Sequence, residues 1–138
     1  MAVIVLTDCR VELNSVVIST STKKATIEFE HDEHDSTTFG GSGWKSNKVG
    51  LKGGTIGFDF VNDFAASALD SQLWALFDAN AAVACKIRVT SASIGTSNPE
   101  YAGDLSIMQY TPIDATVGDL AVTTVSWPTT GVWARNTS

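Results

Sequence analysis

Charge is scarce in this chain: only 17% of its 138 residues are Asp, Glu, Lys or Arg, and the nine basic ones stand against 15 acidic ones, a net charge of −6. So few cations exclude strong nonspecific binding to nucleic acid, which needs Lys and Arg to displace the counterions condensed on phosphate. Long apolar runs are missing too. The N-terminal run of residues 1–6 stops at Leu6 and has no basic stretch before it, too short for a membrane span and unlike a signal peptide. The chain is therefore expected to be made and kept in the cytoplasm, with no membrane partner. Cysteine is limited to Cys9 and Cys85, far apart and in no Cys-x-x-Cys pair, which in a reducing compartment predicts two reduced, partly buried thiols.

Motifs for chemistry are equally sparse. No Gly-x-Ser-x-Gly elbow occurs, and the only histidines are His31 and His34, so a hydrolase would have to gather one of them with a serine and a carboxylate from elsewhere. The run His31-Asp32-Glu33-His34-Asp35 is dense in potential ligands. It lacks the helical i, i+4 histidine pair of a zinc hydrolase and the alternating Asp/Asn order of an EF-hand. In an extended segment His31 and His34 point to opposite sides, which predicts a solvated acidic segment and no metal site. Gly50-Leu51-Lys52-Gly53-Gly54 falls short of a phosphate loop, lacking the Gly-x-x-x-x-Gly-Lys-Ser/Thr spacing and a following helix. The chain is expected to be no enzyme, with no catalytic residue and no cofactor.

What is present is alternation of period two, the mark of antiparallel strands with one buried face. Residues 10–13 and 16–19 flank Asn14-Ser15 as a hairpin. Residues 24–31 set Ala25, Ile27 and Phe29 against Thr26, Glu28 and Glu30, and residues 51–61 align Ile56, Phe58 and Phe60. Further strands are predicted over 83–90, 101–110 and 119–127, with turns at 91–99 and 112–118. One segment has helical spacing, with Leu69, Leu73, Leu76 and Phe77 on a stripe and Ser67 three residues before Asp70 as a capping arrangement. These elements predict one domain over residues 1–138, all-β with one flanking helix, an antiparallel sandwich or flattened barrel. Trp74 and Trp127 are expected to pack in the core or at an interface.

Between the early strands, residues 32–50 lose all periodicity and collect glycine and serine, with Phe39 and Trp44 as their only large apolar groups. A loop this long in a small domain is usually functional or disordered. Its aromatics, with no local core, are either held for a partner surface or folded back on their own domain. A neutral, Ser/Thr-rich surface also suits a subunit that hides its outside against copies of itself.

Several stretches carry a resemblance. The opening through Cys9, residues 30–37, Gly50-Leu51-Lys52, Asn62-Asp63-Phe64-Ala65-Ala66-Ser67, Thr96-Ser97-Asn98-Pro99-Glu100-Tyr101 and Val117-Gly118-Asp119-Leu120-Ala121 resemble, collinearly, the tail-tube proteins of actinobacterial siphophages. The resemblance implies a β-sandwich-like barrel with a flanking helix, assembled in the host cytoplasm into hexameric rings. It implies that these rings stack as the tail tube of the virion, with other tail proteins at its ends and DNA passing through without specific binding. It also implies that the long loop reaches a neighbouring subunit or ring, which makes Asp35, Thr37, Phe39, Trp44, Lys45 and Lys48 candidate interface residues. His31 and His34 stand where the family carries small or aliphatic residues, and they are expected to make ring stacking sensitive to pH. A capsid decoration protein or other β-sandwich binding module would use the same aromatic loop against a foreign partner. Self-assembly without any partner separates the two.

Overall fold

The computed structural model describes residues 3–114 and 116–138. Met1 and Ala2, at the head of the N-terminal apolar run, and Ala115, within the 112–118 turn, lie outside the described residues. Seven strands and one helix follow in order: β1 (Arg10–Leu13), β2 (Val16–Val17), β3 (Thr22–Asp35), β4 (Asn47–Val61), α1 (Leu69–Ala79), β5 (Val83–Arg88), β6 (Glu100–Leu105) and β7 (Val122–Asn136). All pairings are antiparallel, in the order β2-β1-β5-β6-β7-β4-β3. The expected all-β class with one helix is what the chain adopts.

The β1–β2 hairpin turns at Asn14 and Ser15, both at positive φ (51° and 65°). This is the backbone of a two-residue hairpin turn, whose twist matches that of the flanking strands. The long strand β7 joins two halves of the sheet. Its first part pairs with β4 from Val122 to Pro128, and its second part pairs with β6 from Thr129 to Asn136. Pro128, which has no N–H to give, stands where the strand changes partners, and its carbonyl accepts the Ser106 amide at 3.0 Å. Just beyond it, Gly131 (φ +71°), Val132 and Trp133 bulge opposite Gly103. The Trp133 indole lies directly on the Gly103 backbone, where any Cβ would overlap the ring.

Period-two alternation produces the core. Ile56, Phe58 and Phe60 of β4, Val83, Cys85 and Ile87 of β5, and Val125 and Trp127 of β7 are buried on one face, joined by Val11, Leu13, Ile18 and Leu105. Phe58 stacks on Phe60 at 5.1 Å and meets the edge of Trp127 at 6.0 Å. Such pairs add about 0.5–1.5 kcal/mol beyond the area they bury. Trp127 is fully buried, and its indole N–H donates to the Gln109 carbonyl at 2.8 Å.

Helix α1 presses Leu69 and Leu73 into this core. The expected Ser67/Asp70 cap does not form. The N-cap position is Ala68, Ser67 is held at φ +61°, and the Asp70 amide donates to the Asp63 carbonyl at 3.0 Å. The Asp70 carboxylate is taken by the Tyr110 hydroxyl at 2.6 Å. Tyr110 also accepts from the buried Asn62 amide (3.3 Å), which lies within reach of Thr123 Oγ1 (3.1 Å) and the Pro112 carbonyl (3.2 Å) as well. This network ties the helix to β4 and β7. Burial first, then the Asp70 hydrogen bond, pushes the Tyr110 pKa up to about 12.

Three strands are longer than their alternation predicts, and β7 is one of them, running on past Trp127 to Asn136. Strand β3 continues past His31 to Asp35 and β4 begins at Asn47, not Leu51, so most of the segment predicted as a 32–50 loop is a β-hairpin arm and only residues 36–46 connect it. Both faces of the arm meet solvent, so no apolar alternation marks it.

Candidate assembly surface

The arm leaves the body of the protein where Phe29 faces Gly54. From the Glu30–Gly53 pair outward no residue of either strand is buried. At about 3.3 Å per residue the paired strands extend on the order of 20 Å before the tip begins.

The tip is held by its own polar groups. The Ser36 amide donates to the Ser46 carbonyl at 2.9 Å, and the two serine hydroxyls meet at 2.7 Å. The Ser46 amide donates to Thr37 Oγ1 at 2.9 Å, and the Thr37 amide donates to the Asp35 carboxylate, also at 2.9 Å. Thr37, first through its side chain and then through its amide, favours the ionised form of Asp35 and lowers its pKa. A 3-10 turn at Phe39–Gly41 follows, and Ser42 and Gly43 then reverse the chain at positive φ (55° and 88°). A backbone shaped this tightly fixes its side chains outward: Phe39 is fully exposed and Trp44 is 80% exposed.

The six expected interface residues therefore divide. Asp35 and Thr37 shape the tip from within. Phe39, Trp44, Lys45 and Lys48 are free at the surface, and neither lysine is in an ion pair among the described residues. His31 and His34 fall on opposite faces of β3. His31 stands opposite Lys52 and His34 opposite Lys48, with the His34 ring against the Gly50 backbone. Among the described residues no three His, Cys, Asp or Glu side chains gather as metal ligands, and no helix is long and apolar enough to cross a membrane.

Other surface features had no clear sign in the sequence. At the base of the arm Phe29, expected to face the core, is half-exposed and tilts against Trp133 (5.7 Å) and Tyr101 (6.3 Å). These rings floor an open cleft of about 610 Å³, rimmed by His31, Lys52, Val132 and Arg135. Trp74 and Phe77 stand on the outer face of α1 with ring centroids 5.9 Å apart, so Trp74 is not in the core. The opposite face of β3 and β4 carries Glu28, Glu30, Asp32 and Asp59, read from their alternation and register. Lys24 at one end and Lys48, opposite His34 in the arm, are the lysines on that face among the described residues. Strand β3 borders the sheet, so among the described residues one side of its 14-residue backbone has no strand partner, and the opposite border is the two-residue β2.

Cys9 and Cys85 are not bonded to each other. Cys85 is buried, and burial pushes its pKa up to about 12. Half-buried Cys9 is raised by burial and then by Asp8, and its Sγ–H donates to the Arg88 carbonyl.

No family model and no curated protein matches the sequence. The fold does have counterparts among solved structures. It is similar to a chain in the tail of an empty gene transfer agent particle refined with C6 symmetry, at TM-score 0.72 and 13% identity, covering 93% of each chain. It is equally similar to a chain in the virion of a native gene transfer agent particle, at TM-score 0.72 and 13% identity, covering 94% of this chain and 95% of that one.

Proposed function

We propose that this chain is the tail-tube subunit of a phage-like particle, of the kind made by actinobacterial siphophages. Copies close into rings, six-membered by analogy with the C6 tail, and the rings stack into a tube through which DNA passes. Its role is structural, not catalytic. The observation that carries this reading is the end-to-end likeness of the fold to chains of a gene transfer agent virion and tail, joined by the collinear sequence resemblance.

The surface is suited to such a part. The open backbone edge of β3 and the short edge at β2 give each copy two unlike borders. Unlike borders make head-to-tail contacts, which close rings when the rotation permits and propagate when it does not. The face bearing Glu28, Glu30, Asp32 and Asp59 offers DNA a lining that repels phosphate, so a duplex slides without being captured. The arm, with Phe39 and Trp44 at its tip, supplies the reach from one copy to the next. On this reading His31 and His34, each facing a lysine across the hairpin, are the positions at which ring stacking responds to pH. Other tail proteins would meet the two ends of the tube, in the virion.

Sedimentation velocity of the purified chain across a concentration series tests the proposal. Mass action should carry it from slow species to very large ones without any added partner. A monomer that persists at millimolar concentration would contradict it.

A further inference from the structure

The outer face of helix α1 is unpartnered, and its chemistry is the complement of the arm tip. Trp74 is 55% exposed, Phe77 37% and Phe64, in the turn before the helix, 54%. Residues 53–85 contain four aspartates and no Lys or Arg. Asp78 lies in the last turn of α1, where no basic residue accompanies it. A carboxylate there adds to the partial negative charge of the last helical carbonyls, so this end of the helix attracts a cation that its own neighbourhood does not provide.

The arm has the opposite character. Residues 36–52 contain Lys45, Lys48 and Lys52 and no acid, alongside fully exposed Phe39 and largely exposed Trp44. Every side-chain hydrogen bond of the tip stays within the tip. The two apolar patches are thus matched in kind and opposite in charge.

We infer that the arm tip of one copy seats on the α1 face of a neighbouring copy, with Trp44 against Trp74 and Phe77 and with Lys45 and Lys48 beside Asp78. The inference rests on the tail-tube reading and deepens it by naming the receiving surface. The other apolar recess, the Phe29–Tyr101–Trp133 cleft, is the poorer seat: Lys52 and Arg135 line it against one acid, Glu30, and the tip lysines would meet net like charge there. Each seating buries only a few aromatic side chains, but every copy in a ring contributes one tip and one seat, so the contacts multiply by avidity.

Disulfide trapping tests the seat. In a Cys9→Ser background, the Trp44→Cys and Phe77→Cys proteins are mixed, co-assembled and oxidised, and the expected product on a non-reducing gel is a cross-linked heterodimer. The Trp44→Cys and Val132→Cys mixture should give none. A cross-link to position 132 in place of 77 overturns the proposal.

A second set of variants covers loss of assembly through the cysteines themselves. Lys45→Asp with Lys48→Asp should raise the protein concentration needed for assembly about tenfold, the order expected for two exposed ion pairs turned into repulsions. Adding Asp78→Lys should recover most of that loss, and an absence of recovery counts against the seat. If the wild-type chain forms no tubes at all, the tail-tube reading fails. If it forms tubes in which positions 44 and 77 never cross-link, the reading stands and the seat is wrong.

Discussion

Replacing both tip aromatics, Phe39→Ser with Trp44→Ser, should abolish assembly while leaving the fold untouched. Each ring can bury about 150–250 Å², which at about 25 cal/mol per Å² is roughly 4–6 kcal/mol if covered completely. A seat open on one side covers about half of that, and ordering each side chain costs about 0.5–1.5 kcal/mol. The pair then contributes about 3 kcal/mol net per contact, so the concentration required for assembly should rise more than about 100-fold. The isolated chain has nothing comparable to lose. Both residues are exposed and their side chains touch no core residue, so its stability should change by less than about 0.5 kcal/mol. Sedimentation of the assembled fraction and thermal unfolding of the dissociated chain measure the two effects separately. Assembly at the wild-type concentration would refute the reasoning, as would a large fall in melting temperature, because either places these rings elsewhere than at a contact between copies.

Further expectations concern the body of the protein. Tyr110→Phe removes the hydroxyl that Asp70 accepts and that receives the Asn62 amide; it should cost about 1–2 kcal/mol in chemical denaturation. The Tyr110 pKa is raised when folded, to about 12 from 10, so its contribution is complete below pH 10 and is lost as pH rises toward 12. Alkaline titration of tyrosine absorbance should accordingly lose its latest step in this variant. Gly103→Ala drives a methyl into the Trp133 ring and should cost about 1–3 kcal/mol, with a change in tryptophan fluorescence as the indole moves off the backbone. Burial holds Cys85 protonated far above neutrality, so a colorimetric thiol reagent at pH 8 should leave it unmodified until the chain is unfolded.

The elements legible in the sequence are those with one wet and one dry face. Ile56-Phe58-Phe60 and Val83-Cys85-Ile87 alternate because a core selects every second residue, and the helix stripe of Leu69 and Leu73 is readable for the same reason. The outer arm has no dry face, so Glu30-His31-Asp32-Glu33-His34-Asp35 has the composition of a loop although its backbone is paired with β4 on either side of one register shift at Asp32. The second half of β7 is hidden by Pro128 and Gly131, residues that usually end a strand and here mark the place where it changes partners. The false cap at Ser67 shows a different limit. Asp70 has the spacing of a capping box, but Tyr110, 40 residues away, claims its carboxylate. Exposure of Phe39 and Trp44 is foreshadowed by the glycines around them. The Trp74–Phe77 face is not, because a tryptophan beside a buried helical stripe fits core and surface equally well.

Negative-stain electron microscopy of the purified chain, with nothing added, examines the proposed role itself. Stacked rings with a central hole, forming tubes of uniform width, are the expected result. Dispersed particles with no hole at high concentration would contradict it and would make the aromatic arm a device for binding something other than this chain.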